Sequence, residues 1–457
     1  MTAHSCQRRS GPRRFDRGAH GPTRAKAASQ RLLVVSIVLP LCGAGVRLEA
    51  QDYPHIAADF HHRYVEVPLD HRDPALGTFT LYYELSSNFT FDRPTVFYIV
   101  DSQQYAHGAD RTARDYGLSD SLNLVLIEYR GRTHSPIDMR NPDGSVDWRR
   151  AYRLLASHQA VEDIEAVRRD LFSEAPDTRI YLYGRSGGAY LIHEYLSKYP
   201  THATRAFTRT APNPLIMHRQ GNPESTYFSN SLDAIDSSLR TKLRAVLDRE
   251  TVAPRDLLWL LLQLPYNDPN APQIQARIIN ELYQRDTTTY HEYHAEPRYD
   301  LAGLLRSPVL ERQMGVGMFL RPLECDGPYL LGPEPEYVDP VYTTFRYVSA
   351  PFISLIEDEG LPGPEYPALE SFRRVEAEVF YLAGRHDHMS PWSIAVALAA
   401  WFPHYRYFIA EDTHTMNEHP ECYRQLRNAF FLHGLGSREL DEAAASPLCV
   451  EWSPPGK

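Results

Sequence analysis

Apolar and polar residues alternate with a period of two over residues 63–69 and again over 78–84 (Thr78-Phe79-Thr80-Leu81-Tyr82-Tyr83-Glu84), the pattern of half-buried strands. His71-Arg72-Asp73-Pro74 lies between them and supplies a turn, so the two read as an antiparallel pair. Unbroken apolar runs follow at Thr95–Val100 and Leu122–Glu128, as in strands covered on both faces. Across residues 150–173 the period lengthens to that of one helix, with Leu155, Ala160, Ile164, Val167 and Leu171 on a common face. A strand at Ile180–Tyr183, a helix at Ala189–Lys198 and a strand at Arg205–Thr210 continue the alternation. Such alternation predicts a mostly parallel α/β sheet flanked by helices.

The pattern breaks at Ala211-Pro212-Asn213-Pro214. Residues 213–373 read as helices and loops, with helices expected over 231–249, 255–263 and 273–284 and an aromatic, proline-rich stretch over 326–347. Strand patterns return at Val375–Ala383 and Tyr405–Ala410. The expected organisation is a core of residues 51–212 and 374–457, interrupted by a helical cap at 213–373.

Candidate chemistry sits at the strand ends. Gly184-Arg185-Ser186-Gly187-Gly188 joins a strand to a helix, the setting in which G-x-S-x-G holds a serine on a strained turn with its hydroxyl above the sheet. Residues 184 and 188 must be small there, because a Cβ would meet the neighbouring strand or helix. Where such a serine is a nucleophile, an acid and a histidine follow it in chain order. Asp387 stands after the strand ending Leu382-Ala383 and before Ser390-Pro391, a helix start. Of His386, His388, His404, His414, His419 and His433, His414 alone sits just after the last strand, Arg406–Ala410, in the loop before the final helix. In that reading His414 takes the Ser186 proton and Asp387 holds the imidazole tautomer. The oxyanion is expected to face the Gly187 N–H and a second donor in the loop after Val100, at Ser102. No metal or organic cofactor is implied.

Charge divides the chain. Residues 1–50 hold nine Lys/Arg against two Asp/Glu, and the remaining 39 basic against 56 acidic residues give −17. An acidic body is a poor partner for nucleic acid. The basic segment leads into the uncharged run Leu32–Val46, too short for a bilayer span but right for the apolar region of an export signal. Cleavage is expected after Ala44 or Ala50, leaving no membrane span; an uncleaved anchor is the other reading. Loss of the leader removes Cys6 and Cys42, so Cys325, Cys422 and Cys449 remain.

Several segments carry a resemblance. They are Val67-Pro68-Leu69-Asp70-His71 before Thr78-Phe79, Glu128-Tyr129-Arg130-Gly131 with Ser135-Pro136, Asp147-Trp148, Gln159-Ala160, Tyr183–Gly188, Ala211-Pro212-Asn213, Asp387 with Ser390-Pro391, and the tail from Cys422 through Phe430–Gly434 to Cys449. Over about residues 63–212 and 374–450 the chain resembles exported α/β-hydrolase serine peptidases of the tripeptidyl aminopeptidase and prolyl aminopeptidase type, including the secreted prolyl tri/tetrapeptidyl aminopeptidases. The resemblance implies an α/β-hydrolase fold of about eight strands, a serine exopeptidase acting on peptide N-termini, and a Cys422–Cys449 disulfide. Closing a loop of that length contributes about 3.5 kcal/mol by chain entropy, in a compartment that permits it. The cap is not matched residue by residue. Many relatives carry His-Gly-Gly-Pro-Gly after the third strand, where this chain has Asp101-Ser102-Gln103-Gln104-Tyr105. An aminopeptidase, a carboxylic-ester hydrolase with a small ester substrate and a catalytically weak binding protein are the classes left open.

Overall fold

The computed structural model describes residues 56–103, 112–221, 223–301, 305 and 315–454; the leader, Gln104 and Tyr105 fall outside them. β1 (His62–Pro68) and β2 (Thr78–Leu85) form the expected antiparallel pair, with His62 opposite Glu84 and Pro68 opposite Thr78. β2 also runs antiparallel to β4 (Asn123–Ile127). The remaining strands, β3 (Thr95–Ile99), β5 (Ile180–Arg185), β6 (Ala203–Arg209), β7 (Glu378–Gly384) and β8 (Tyr405–Ala410), lie parallel to their neighbours. The order is β1-β2-β4-β3-β5-β6-β7-β8, an eight-stranded α/β-hydrolase sheet.

That order places the site. The chain leaves β3 toward β4 on one side and returns to β5 on the other side of β3. Connections from β3 and β5 therefore diverge, which opens a crevice beyond their carboxyl ends. Residues 101 and 186 both stand there.

The unbroken apolar runs are explained by two covered faces. Phe97, Val125 and Leu182 join one apolar layer with Ile164 and Leu191, whereas Val96, Leu124 and Tyr183 join another with Leu426 and Phe430. The helix expected over 150–173 is two helices, α1 (Trp148–Leu155) and α2 (Ser157–Leu171). Ala156 between them is extended (φ −58°, ψ 147°). The Tyr129 hydroxyl donates to the Leu155 carbonyl, and the Ser157 N–H donates to the Glu324 carboxylate, so distant side chains hold the break open. α3 (Gly187–Lys198) follows β5.

Between β6 and β7 the chain is helical: α4 (Pro214–Arg219), α5 (Pro223–Ile235), α6 (Leu239–Asp248), α7 (Pro254–Asn267), α8 (Ala271–Tyr283), α9 (Thr288–His294), α10 (Gly317–Leu330), α11 (Pro340–Val348) and α12 (Ala350–Glu357). Leu232, Leu243, Leu257, Leu260 and Ile279 give this block an apolar centre of its own. The single helix expected over 231–249 is broken after Ile235, where the Asp236 carboxylate accepts the Ser238 N–H at 2.8 Å and so competes with the helical pattern. The proline-rich stretch over 326–347 contains the last turn of α10 and nearly all of α11. α10 carries Pro322 and Pro328 inside it, and α11 begins on Pro340, a position where the missing N–H costs nothing. α13 (Trp392–Leu398), α14 (Pro420–His433) and α15 (Arg438–Ala444) complete the chain.

Several residues of the shared segments have structural work. Arg130, almost wholly buried, holds Asp163 through two bonds at 2.7 and 2.8 Å and donates to the Leu69 and Leu154 carbonyls. His71 reaches the same Asp163 at 2.8 Å, while Gln159 accepts from the His71 N–H and donates to Asp70. The turn between β1 and β2 is thereby fastened to α2. At the other end, Cys422 of α14 is joined to Cys449, with Cα atoms 5.1 Å apart, and Cys325 is free and buried. Among the described residues no helix is long and apolar enough to cross a membrane.

Removing one partner of a buried pair strands the other charge, which costs about 3–5 kcal/mol. Arg130→Met should lower the unfolding free energy by that amount, seen as a lower urea midpoint with an unchanged slope. An unaltered midpoint would show that Asp163 finds another partner.

Candidate active site

Ser186 has φ 50° and ψ −128°, a conformation that L residues avoid, and such strain costs about 1–3 kcal/mol. The surroundings impose it. A Cβ on Gly188 would fall 2.3 Å from the Ile99 carbonyl oxygen, and one on Gly184 would fall 2.9 Å from the Gly188 backbone. With both glycines, α3 starts directly against the end of β3. The Ser186 N–H donates to the Arg209 carbonyl at 2.8 Å, fixing the turn to β6. The serine is half-buried and its hydroxyl faces the crevice.

The acid and the imidazole arrive from β7 and β8. Asp387 is 1% exposed. It accepts the N–H groups of Met389 and Ser390 at 2.9 Å each, and both its oxygens stand 2.9 Å from His414 Nδ1. Nε2 of His414 is 3.0 Å from Ser186 Oγ. Asp412 does not compete for the imidazole: it accepts from Glu418 N–H and the Tyr423 hydroxyl, and so shapes the loop that carries His414. Tyr266, near the end of α7, places its ring edge against His414 with centroids 5.0 Å apart. Its carbonyl accepts the Thr415 N–H at 3.0 Å, so the helical block closes over the imidazole.

The other histidines are elsewhere engaged. His386 lies 2.9 Å from Glu411, and His388 is buried with Nε2 3.1 Å from the Leu262 carbonyl. Burial pushes the His388 imidazole down to about 4, which keeps it neutral. His419 packs on Tyr423, while His404 and His433 are exposed.

This line of three groups can move a proton from Ser186 Oγ to Nε2 while Asp387 fixes the tautomer and balances the imidazolium. Gly187 opens α3 with its N–H at the helix start, where developing negative charge is favoured. Ser102 is buried beside it, and its hydroxyl donates to the Gly317 carbonyl at 2.8 Å. The next amide, Gln103 N–H, donates to Asp101 Oδ1 at 3.0 Å. Sequence reasoning missed Tyr266 and Asp101. Asp101 alone carried a signal, as an acid standing where relatives have histidine. Apart from this line, Asp256, His294 and Asp300 each bring one ligand atom within 4.8 Å of the others; the Ser186 chemistry does not use them.

No protein-family model and no curated protein matches the chain. Solved structures similar to it include an α/β hydrolase enzyme from a Medee basin deep-sea metagenome library, at 13% identity and TM-score 0.43, covering 79% of this chain and 97% of that one. A proline iminopeptidase from Mycobacterium smegmatis is 14% identical with TM-score 0.42, covering 83% of this chain and 100% of that one. A serine hydrolase from the polyaromatic-hydrocarbon-degrading Cycloclasticus zankles gives 10% and 0.39, covering 82% and 100%. Likeness at that level says nothing of substrate, and the fold rests on the strand order.

Ser186→Ala and His414→Ala should each lower kcat by about 10³-fold or more on any cleaved substrate, and Asp387→Asn by roughly 10⁴-fold, with melting temperatures near that of the parent. His386→Ala and His419→Ala should retain most of the activity. A near-normal Asp387→Asn would move the orienting acid elsewhere.

Proposed function

We propose that the chain is an exported serine hydrolase of aminopeptidase type, releasing residues or short peptides from peptide N-termini through an acyl-enzyme on Ser186. The 3.0 Å contact between Ser186 Oγ and His414 Nε2, backed by Asp387, carries the hydrolase part of the reading. The basic leader followed by an apolar run supports export, as does the Cys422–Cys449 bridge.

For the aminopeptidase part, a group must receive the substrate's α-ammonium. Seven acidic residues near aromatics in the helical block are the candidates, and they sort by burial. Glu292, Glu296, Glu357, Asp358 and Glu359 are exposed, and Glu296, Glu357 and Glu359 pair with arginines. Glu324 and Asp326 of α10 are 3% exposed. Glu324 is occupied by Arg321 and the Ser157 N–H. Asp326 remains, with Oδ1 lacking a hydrogen-bond partner. Its carboxyl lies within electrostatic range of Tyr266, whose ring packs on His414. Asp326 is the residue best suited to take the ammonium.

Burial, helped by Asp339, pushes Asp326 up to about 8. In the empty enzyme below that pH the carboxyl is protonated, and an arriving ammonium must displace the proton. Binding therefore strengthens as pH rises toward 8, then weakens as the substrate's own amine, near 7.7–8.0, loses its charge.

Ester hydrolysis is the second reading, because the Ser186–His414–Asp387 relay serves an ester carbonyl as well as an amide and the fold does not choose between them.

A panel of free and N-acetylated peptidyl amides, run beside simple esters, separates the two. Acetylation should lower kcat/KM at least about thirtyfold, some 2 kcal/mol, and kcat/KM for free amines should climb between pH 6 and 8. Asp326→Asn should impair free-amine peptides far more than blocked esters and abolish that climb. Equal cleavage of free and acetylated substrates would reject the aminopeptidase and favour the esterase.

A further inference from the structure

The crevice beside Ser186 holds a carboxyl group that the proton relay does not use. Asp101 follows β3 and is 1% exposed. A Cβ built on Gly187 would fall 1.8 Å from Asp101 Oδ2, so the acid fills the space of a side chain at the residue after the nucleophile. A full negative charge there would oppose an oxyanion held by the Gly187 N–H.

Burial and the neighbouring charges pull the acid in opposite directions. Arg321 is buried and its charge is matched by Glu324 at 2.8 Å. Its Nε stands 3.5 Å from Asp101 Oδ2 and makes no hydrogen bond. Oδ1 accepts the Gln103 N–H, so Oδ2, the oxygen beside Gly187, is the one free to carry a proton. Other titratable groups around it are Glu324 and Cys325 of α10, Tyr129 and Arg132 after β4, Arg185 at the end of β5 and Tyr266 of α7. Burial pushes the carboxyl up despite the opposing pull of Arg321, the Gln103 amide, Arg132 and Arg185. A carboxyl kept neutral in a dry site is a hydrogen-bond donor.

We propose that Asp101 is a catalytic residue in its protonated form, its Oδ2–H donating to the oxyanion beside the Gly187 N–H. It stands in the loop where the second donor is expected, next to Ser102, while the Gln103 amide is engaged by its Oδ1. No bond to Asp101 forms or breaks; the proton stays on the acid and the hydrogen bond shortens as charge develops on the substrate oxygen. The donor is present below the carboxyl's raised pKa and is lost as pH rises through it.

The assignment rests on Ser186 as nucleophile, and its test needs no peptide substrate. A fluorophosphonate is attacked by Ser186 Oγ at phosphorus, fluoride leaves, and the phosphoryl oxygen takes the oxyanion position. Its labelling rate is measured against pH for the parent, Asp101→Asn and Asp101→Ala, with melting temperatures alongside. Asp101→Asn keeps an N–H donor and should label within about tenfold of the parent, without the parent's alkaline decline. Asp101→Ala should fall about 10²–10³-fold. Parent-like labelling of Asp101→Ala, equal impairment of both variants, or faster labelling of Asp101→Asn would each overturn the assignment. A parent that does not label at all would instead overturn Ser186.

Discussion

The rest of the site depends on how closely α3 approaches the end of β3. With Gly188 against the Ile99 carbonyl there is no room for a methyl group between helix and strand. That approach forces Ser186 into positive φ and turns its hydroxyl out of the sheet. It also brings the first amide of α3 to the crevice that β3 and β5 open by diverging. Strain at one serine is held by many ordinary contacts around it, including the bond from its N–H to Arg209 and two apolar layers on the faces of the sheet. The loops after β7 and β8 then need only deliver an acid and an imidazole to a fixed point.

Charge in a dry interior is the second theme. Arg130 and Asp163 fasten the first hairpin to α2, and Arg321 with Glu324 fastens α10 to the start of α2 through the Ser157 N–H. Buried pairs add little net stability over apolar packing, but they are costly to break. They fix register rather than supply cohesion. Burial raises the carboxyls of Asp101, Glu194 and Glu324, and Arg321 pulls against that rise at all three. Glu194, also beside Ser157 and repelled by Glu324, is raised to about 8 chiefly by burial.

Much of this was legible in the chain. Strands covered on both faces announce themselves as unbroken apolar runs, and Ser186, Asp387 and His414 stand in chain order at strand ends. What escaped was decided by tertiary contacts. The break at Ala156 is made by Tyr129 and Glu324, one before it and one far after it in sequence. α10 and α11 were hidden by prolines that a helix tolerates at its start or where packing holds it. Asp70-His71 and Gln159 stand among the segments that carry the family resemblance, and their clamp between the first hairpin and α2 joins residues too far apart in sequence to be read together. Among the seven candidate acids near aromatics in the helical block, burial alone separates Glu324 and Asp326 from the rest. Gly187 was read as the amide donor, but the reason it must be glycine, the Asp101 carboxyl, lies more than eighty residues away.

The most direct measurement is a rapid acid quench during turnover of an activated substrate, followed by peptide mapping for a covalent acyl group. An acyl ester on Ser186, forming before the steady state and decaying at the turnover rate, is the expected result. Product formation with no acyl group on Ser186, or an adduct on another residue, would contradict a nucleophile at the start of α3.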